Sequence, residues 1–185
     1  MPGLTAAAGE PKLVVMEWTG QVYADHPTVA VQAHIEAPPE RVWRLVSDIF
    51  LMPKLSDELR EVEWLDEVSS PAVGHRFRGR NANQYLGQWE TVSVITECDA
   101  PRRFGWAVGE AGHPWATWRF TLTPAGTGTL LEQWAQLGPG RSGLSLAIDA
   151  MPDKEQKIVF VRLREWETGF KHNLATIKEM AEAAA

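Results

Sequence analysis

The sequence contains a single cysteine, Cys98, among its 185 residues, and it has no long run of apolar residues. One thiol cannot form an internal disulfide or a thiolate metal cluster, which favours a reducing compartment. The apolar run at 13–16 is far shorter than the roughly 20 residues of a membrane span, and the N-terminus lacks the basic start of a signal peptide. We therefore expect a cytoplasmic protein with no membrane partner.

Positive charge is scarce as well. The 18 lysines and arginines are outnumbered by 24 aspartates and glutamates, and no block of basic residues occurs in this chain of net charge -6. Because nucleic-acid binding depends mainly on clustered positive charge, no nucleic-acid partner is expected.

Motifs for cofactor, metal and nucleophile chemistry are missing too. The five histidines stand at no metal-ligand spacing, and no G-x-S-x-G nucleophile motif occurs. The segment GPGRSG at 138–143 matches G-x-G-x-x-G by letter, but it follows an antiparallel hairpin rather than the strand of a βαβ unit. Neither a metal nor an organic cofactor is predicted.

Tryptophan is abundant, with nine residues. Each one can bury ~150–250 Å² of surface, which corresponds to roughly 4–6 kcal/mol at about 25 cal/mol/Å². The length fits one domain with a substantial core. We expect residues 28–185 to form that domain and residues 1–27 to form an N-terminal extension that is partly disordered.

The apolar pattern predicts an α+β fold. The segment TVAVQAHIE from Thr28 alternates like a half-buried strand, and APPERVWRLVSDI is typical of a short amphipathic helix, with Pro53 marking a break before a second one. Alternating segments separated by short turns then predict an antiparallel sheet. From about 153 to 183 an apolar stripe predicts a long helix. Its members are Val159, Leu163, Trp166, Phe170, Ile177 and Ala181.

The order of these segments resembles the START-like or SRPBCC superfamily, in its polyketide cyclase/dehydrase branch. The resemblance covers roughly residues 28–182 and rests on APPERVWRLVSD, GHRFRGRNANQYLGQWETVSVI, PRRFGWAV, WRFTLTPAGTGTLLEQW and the last helix. It implies a helix-grip fold: a curved antiparallel sheet of six to seven strands, two short helices after the first strand, and a long C-terminal helix over a hydrophobic cavity.

The resemblance also implies which side chains face that cavity and bind a ligand. These are Phe77, Asn81, Trp89, Trp106, Trp118, Glu132, Trp134, Trp166 and Phe170. Glu132 and Trp134 lie two residues apart on one strand, so they face the same side of the sheet. Either both point into the cavity, or both point outward and Glu132 pairs with an arginine such as Arg119 or Arg103.

Two functions of the cavity are open. The first is the binding of a hydrophobic or polyketide-type small molecule without catalysis, by a monomer or homodimer. In its specific form, implied by the resemblance, a reactive enediyne abstracts a hydrogen from a glycine of its own resistance protein; Gly105, Gly109 and Gly112 are the candidate glycines. The second function is that of a polyketide aromatase/cyclase, for which Glu132, Tyr85 and His113 are the candidate acid–base groups.

A third function is that of an interaction module. Trp18, Trp43 and Trp64 would then form a protein interface as exposed aromatic residues.

Overall fold

A computed structural model describes residues 17–84, 87–110 and 112–183. Seven antiparallel strands form one sheet in the order β1-β7-β6-β5-β4-β3-β2, so that β1 and β2 are its two edges. The strands are β1 (Thr28–Ile35), β2 (Leu59–Trp64), β3 (Arg76–Asn83), β4 (Gly87–Asp99), β5 (Arg103–Glu110), β6 (His113–Ala125) and β7 (Gly128–Leu137). The α-helices are α1 (Pro39–Val46), α2 (Met52–Leu55), α3 (Gly143–Ala150) and α4 (Glu155–Ala183). The predicted helix-grip arrangement of a curved antiparallel sheet, two short helices after the first strand and a long C-terminal helix is confirmed.

The alternation of each strand decides which side chains face α4. On β1, Val29 and Ile35 are buried while Gln32 and His34 are exposed, as the sequence predicts. On β3, Phe77 is buried and the neighbouring Arg78 forms an ion pair with a glutamate of β2 on the outer face. The sheet therefore has an apolar concave face and a charged outer face.

The predicted helices are present, and one more precedes the last of them. Two prolines begin α1, where a missing N–H costs nothing, and Pro53 stands inside the first turn of α2 for the same reason. Helix α4 buries the stripe that the sequence predicts, and Leu174 in addition. Helix α3 was not expected; its signal is Ser142, whose hydroxyl accepts a hydrogen bond from the Leu144 N–H as an N-cap.

The loop GPGRSG is packed rather than open. The Gly138 N–H donates to the Trp115 carbonyl, and the Gly140 N–H donates to the Pro114 carbonyl. A Cβ on Gly140 would overlap the backbone of His113, so the close approach of two chain segments requires glycine there. The Tyr23 hydroxyl, from the segment before β1, donates to the Gly140 carbonyl at 2.6 Å.

A buried hydroxyl joins β7 to the start of α1. The Thr129 side chain is fully buried, and its Oγ1 donates to the Ala37 carbonyl at 2.7 Å. Thr129→Val is expected to lower the free energy of unfolding by roughly 1 kcal/mol, the net contribution of one hydrogen bond. Chemical denaturation would measure it, with Thr123→Val at an exposed position of β6 as the control. Equal losses in both variants would contradict a role for this hydrogen bond.

Candidate functional site: aromatic rings between the sheet and the last helix

Four aromatic side chains meet between the concave face and α4. Trp106 on β5 and Trp118 on β6 are paired across the sheet, and their rings stack with centroids 6.2 Å apart and planes 6° apart. Trp166 of α4 lies 4.6 Å from the Trp118 ring, and Phe170 lies 5.7 Å from it. We call Trp106, Trp118, Trp166 and Phe170 the aromatic cluster.

The aromatic cluster occupies the space between sheet and helix and continues into the core. Trp106 and Trp166 are only 8% and 9% exposed, and Phe170 is 2% exposed, whereas Trp118 is half-buried. Phe77 lies 6.5 Å from Trp106 on the core side. Such stacked and tilted pairs contribute about 0.5–1.5 kcal/mol each beyond their buried area. The cluster therefore packs the centre of the grip and presents the half-buried Trp118 toward one end.

That end of the sheet carries a polar rim. Asn81 and Trp89 are paired across β3 and β4, and both are half-buried on the concave face. The Asn81 amide donates to Thr91 Oγ1 at 3.3 Å. Gly79 allows Leu59 and Thr91 to pack closely over it, since a Cβ there would lie 2.8 Å from Leu59 Cδ1 and 3.0 Å from the Thr91 hydroxyl. A hollow of about 330 Å³ lies at the same end of β3 and β4, mainly against the charged outer face. It is lined by Arg60, Glu61, Arg80, Asn81, Ala82, Gln88, Trp89 and Glu90.

An ion pair joins α4 to the same rim. Arg162 Nη2 lies 2.9 Å from Glu58 Oε2, and Arg162 Nη1 lies 3.0 Å from Glu58 Oε1. Asn83 at the end of β3 donates to Glu58 Oε1 at 3.0 Å. The Arg162 guanidinium also lies over the Trp166 ring, 5.4 Å from its centroid. The pair therefore spans from the β2–β3 edge of the sheet to the aromatic cluster.

The surroundings shift the pKa values of Glu58 and Arg162 so that the charged form of each is favoured. Burial raises the pKa of the Glu58 carboxyl, but hydrogen bonds from Arg162 and Asn83 and the charge of Arg162 outweigh it, so this pKa lies below its ordinary value. Burial lowers the pKa of Arg162, but Glu58 and Glu165 outweigh it and hold this pKa above its ordinary value. Both groups are charged at neutral pH.

Glu132 and Trp134 do not face the aromatic cluster, and the prediction that they point inward is wrong. The buried residues of β7 alternate with them and include Leu131, Gln133 and Ala135. Trp134 lies on the outer face under Arg119, whose Cζ is 4.5 Å from the ring centroid. An arginine stack of this kind covers the apolar ring without burying it in the core.

The outward Glu132 also has a different partner from the predicted arginines. Gln32 of β1 donates to Glu132 Oε2 at 2.8 Å. Arg119 and Arg103 instead approach Glu97, at 3.5 and 3.8 Å. Glu132 is therefore part of the outer surface of the sheet.

Of the other candidate acid–base groups, His113 is not brought to the aromatic cluster. His113 is exposed at the start of β6, and Tyr85 lies outside the described residues. The residues that the sequence prediction missed are Glu58, Thr91 and Arg162. Arg162 precedes Trp166 by one helical turn, which was the available signal for it.

The three candidate glycines lie in different surroundings. Gly105 is on the outer face of β5, where a Cβ would lie 3.3 Å from the Glu97 side chain. Gly109 has a φ of +103° and lies against the Trp115 indole. Gly112, with a φ of +78°, is exposed in the connection to β6. Gly109 and Gly112 are thus at the rim end of the sheet, and Gly105 points away from the concave face.

The tryptophans of the predicted interface are only partly free. Trp18 is 54% exposed and contacts the Phe160 ring edge-on at 5.1 Å. Trp43 and Trp64 are half-buried, each packing edge-on against a core phenylalanine at 6.1 Å. They line a second hollow of about 360 Å³ between α1 and the end of β2.

Within the described ranges, no helix is both long and apolar enough to span a membrane. Over the same residues, no three or more histidine, cysteine or acidic side chains group together as a metal site would require.

Comparison with protein families gives one match. A family described as polyketide cyclase / dehydrase and lipid transport matches residues 26–154. None of the curated proteins matches the chain.

Solved structures share the fold. The Polyketide_cyc-like protein Cgl2372 from Corynebacterium glutamicum is 29% identical, with a TM-score of 0.61, over 85% of this chain and 92% of that one. The di-domain ARO/CYC StfQ from the steffimycin biosynthetic pathway is 13% identical, with a TM-score of 0.66, over 85% of this chain and 51% of that one. The di-domain ARO/CYC BexL from the BE-7585A biosynthetic pathway is 18% identical, with a TM-score of 0.61, over 84% of this chain and 50% of that one. This chain therefore corresponds to about half of each di-domain protein.

Proposed function

The chain belongs to the polyketide cyclase / dehydrase and lipid transport family, and from this premise we propose that it binds a bulky, flat, apolar small molecule of the polyketide type at the aromatic cluster. The observation that most supports this proposal is the position of Trp118. Its half-buried ring stacks on Trp106 and contacts Trp166 at the rim end of the concave face. Flat aromatic molecules pack favourably on such rings. The polar groups Asn81 and Thr91 supply the few hydrogen bonds that orient a ligand in an apolar site.

Non-catalytic binding is favoured because the candidate acid–base residues within the described ranges do not face the aromatic cluster. Glu132 lies on the outer face and His113 is exposed at the start of β6. Glu58, which binds the arginine over the Trp166 ring, is held by Arg162 in its charged form. General acid–base catalysis needs a group whose pKa lies near the operating pH.

Binding of 2-(hydroxymethyl)anthraquinone, an uncharged flat probe, tests the proposal. We expect saturable quenching of tryptophan fluorescence with a dissociation constant on the order of 0.1 mM, from about 0.3 kcal/mol for each of roughly 18 non-hydrogen atoms. Trp118→Phe should keep binding but lose part of the quenching, whereas Trp134→Phe on the outer face should leave both unchanged. If neither this probe nor other flat aromatic compounds give saturable quenching, the proposal is wrong.

Sequestration of a reactive natural product is the specific form of this proposal. Gly109 and Gly112 support it by their place at the rim end of the sheet, and Gly105 does not. Incubation with an activated enediyne should then cleave the chain at Gly109 or Gly112, as seen by mass spectrometry. An intact chain would leave small-molecule binding in place and remove self-sacrifice.

The second candidate function is that of a polyketide aromatase/cyclase, supported by the fold shared with StfQ and BexL. Turnover of a poly-β-ketone thioester, followed by product analysis, would establish it. Activity that survives Glu132→Gln and His113→Ala but falls in Thr91→Val would place the chemistry at the rim. Absence of any cyclised product would exclude the substrate tested.

A further inference from the structure

The ion pair between Glu58 and Arg162 lies beside the aromatic cluster, with the Arg162 guanidinium 5.4 Å from the Trp166 ring centroid. Their side chains are only 31% and 25% exposed, and both carboxylate oxygens are engaged by the guanidinium at 2.9 and 3.0 Å. Charged hydrogen bonds in such a two-point arrangement are stronger and more directional than single ones. Glu58 therefore holds Arg162 in one orientation.

Both partners are positioned by independent contacts. The Glu58 carbonyl accepts from the Ala82 N–H at 2.9 Å, which ties it to β3, and the Asn83 amide donates to its carboxylate at 3.0 Å. Arg162 stands on α4 one turn before Trp166, over whose ring its guanidinium lies. A ligand that reaches Trp118 and Trp166 from the rim therefore passes this pair.

The positive charge of the Arg162 guanidinium is already balanced by carboxylates before a ligand arrives. Arg162 Nη1 donates to Glu165 Oε2 at 3.0 Å in addition to its bonds with Glu58. Two carboxylates thus face one cation, and the three groups sum to one negative charge. An anionic ligand would meet Glu58 rather than a free guanidinium, and like charges at short range repel.

We infer that Glu58 determines the charge selectivity of the aromatic site: by occupying the guanidinium of Arg162, it makes the rim reject anionic ligands and admit uncharged flat ones. The inference rests on the proposed function, since it concerns the same ligand site. It narrows the ligand class to uncharged polycyclic molecules whose oxygens are carbonyls or hydroxyls rather than carboxylates.

Two matched probes test this selectivity. Anthraquinone-2-carboxylate and 2-(hydroxymethyl)anthraquinone share one ring system and differ in charge at neutral pH. The wild-type protein is expected to bind the uncharged probe at least about tenfold more tightly. In Glu58→Gln, one guanidinium N–H becomes free to bind the ligand. The affinity for the carboxylate probe should therefore rise about tenfold or more, which corresponds to the usual contribution of one charged hydrogen bond. The affinity for the uncharged probe should change less than about twofold, because that probe forms no charged hydrogen bond with the guanidinium.

Glu63→Gln is the control. Glu63 pairs with Arg78 and Arg80 on the outer face of the sheet, at 2.9 and 3.6 Å, so its loss removes one negative charge without touching the Glu58–Arg162 pair. The ratio of the two affinities should stay at the wild-type value in Glu63→Gln. A shift as large as that of Glu58→Gln would mean that net charge, and not the Arg162 pair, sets the selectivity.

The possible results separate the inference from the proposed function. If the uncharged probe and other flat aromatic compounds fail to bind the wild-type protein, the proposed function itself is wrong. If the uncharged probe binds but the affinity ratio is the same in wild type and Glu58→Gln, the inference is overturned and the binding function stands. Circular dichroism verifies that Glu58→Gln is folded. Should it not fold, Arg162→Gln, which leaves Glu58 unneutralised, must bind the carboxylate probe more weakly than the wild type, or the inference fails.

Discussion

Trp118→Ala is expected to lower the free energy of unfolding by about 3 kcal/mol, the lower end of the usual cost of removing a large aromatic side chain from a core, because Trp118 is half-buried. The Trp118 ring touches Trp106, Trp166 and Phe170, with centroids 6.2, 4.6 and 5.7 Å away. Its removal opens a cavity between β6 and α4 that neighbouring rings of fixed shape cannot fill. The same change should remove binding of the flat probe.

Trp134→Ala is the matched control, because it removes the same side chain from the neighbouring strand. Trp134 lies on the outer face under Arg119, at 4.5 Å, and no core is opened by its loss. The loss of free energy should be near 1 kcal/mol, the scale of one partly exposed cation–π contact, and probe binding should be unchanged. Urea unfolding and fluorescence titration measure both effects. Losses of equal size would contradict the assignment of the two tryptophans to opposite faces.

Arg162→Met is expected to lower the free energy of unfolding by about 2 kcal/mol at neutral pH. Breaking a buried ion pair costs about 3–5 kcal/mol because the remaining charge is left desolvated, and partial exposure of both side chains, at 25% and 31%, reduces that cost. Methionine retains much of the apolar stem over Trp166, so the loss reports mainly the charge. The Glu58 carboxylate would then keep only the Asn83 amide as a partner among the contacts described above.

The loss should depend on pH with a definite sign. In the wild type the pKa of Glu58 lies below its ordinary value, so its contribution is complete above the unfolded pKa of about 4.3 and is lost as pH falls through the folded pKa. In Arg162→Met burial is no longer outweighed, and protonation of Glu58 relieves the penalty. The two proteins should therefore differ most at neutral pH and converge in acid. Denaturation curves at several pH values measure this.

The control for this pair lies on the outer face. Arg78→Met breaks a pair with Glu63 whose side chains are 37% and 44% exposed. Exposed pairs of this kind contribute about 0–1 kcal/mol, so the change should be small at every pH. A loss at Arg162 that is independent of pH would show that its packing, rather than its charge, matters.

The concave aromatic residues were predictable because their strands alternate cleanly. In both β5 and β6 the apolar residues occupy alternate positions and so lie on one face. They are Phe104, Trp106 and Val108 on β5 and Phe120 and Leu122 on β6. Pairing two such strands brings Trp106 opposite Trp118. A buried face specifies the register of a strand, because a slip of one residue would expose it. The stripe of α4 followed from its period for the same reason.

The orientation of β7 could not be predicted in this way. The segment TLLEQWAQL places Leu130 and Trp134 on one parity and Leu131 and Ala135 on the other, so both faces contain apolar residues. The tryptophan suggested the core, but its neighbour Arg119 on β6 covers it from outside. Which face is buried depends on the pairing of β7 with β1, whose Val29 and Ile35 face α4.

The sequence by itself determined the α+β class, the antiparallel sheet, the long last helix and the aromatic concave face, because periodicity and side-chain type are local properties. Only the tertiary structure decided that Glu132 and Trp134 are on the outer surface and that Glu58 meets Arg162 across 104 positions of the chain. The second contact depends on how α4 lies across the sheet. No periodic pattern encodes that, because one charged residue on a helix and one beside a strand look the same whether they meet or not.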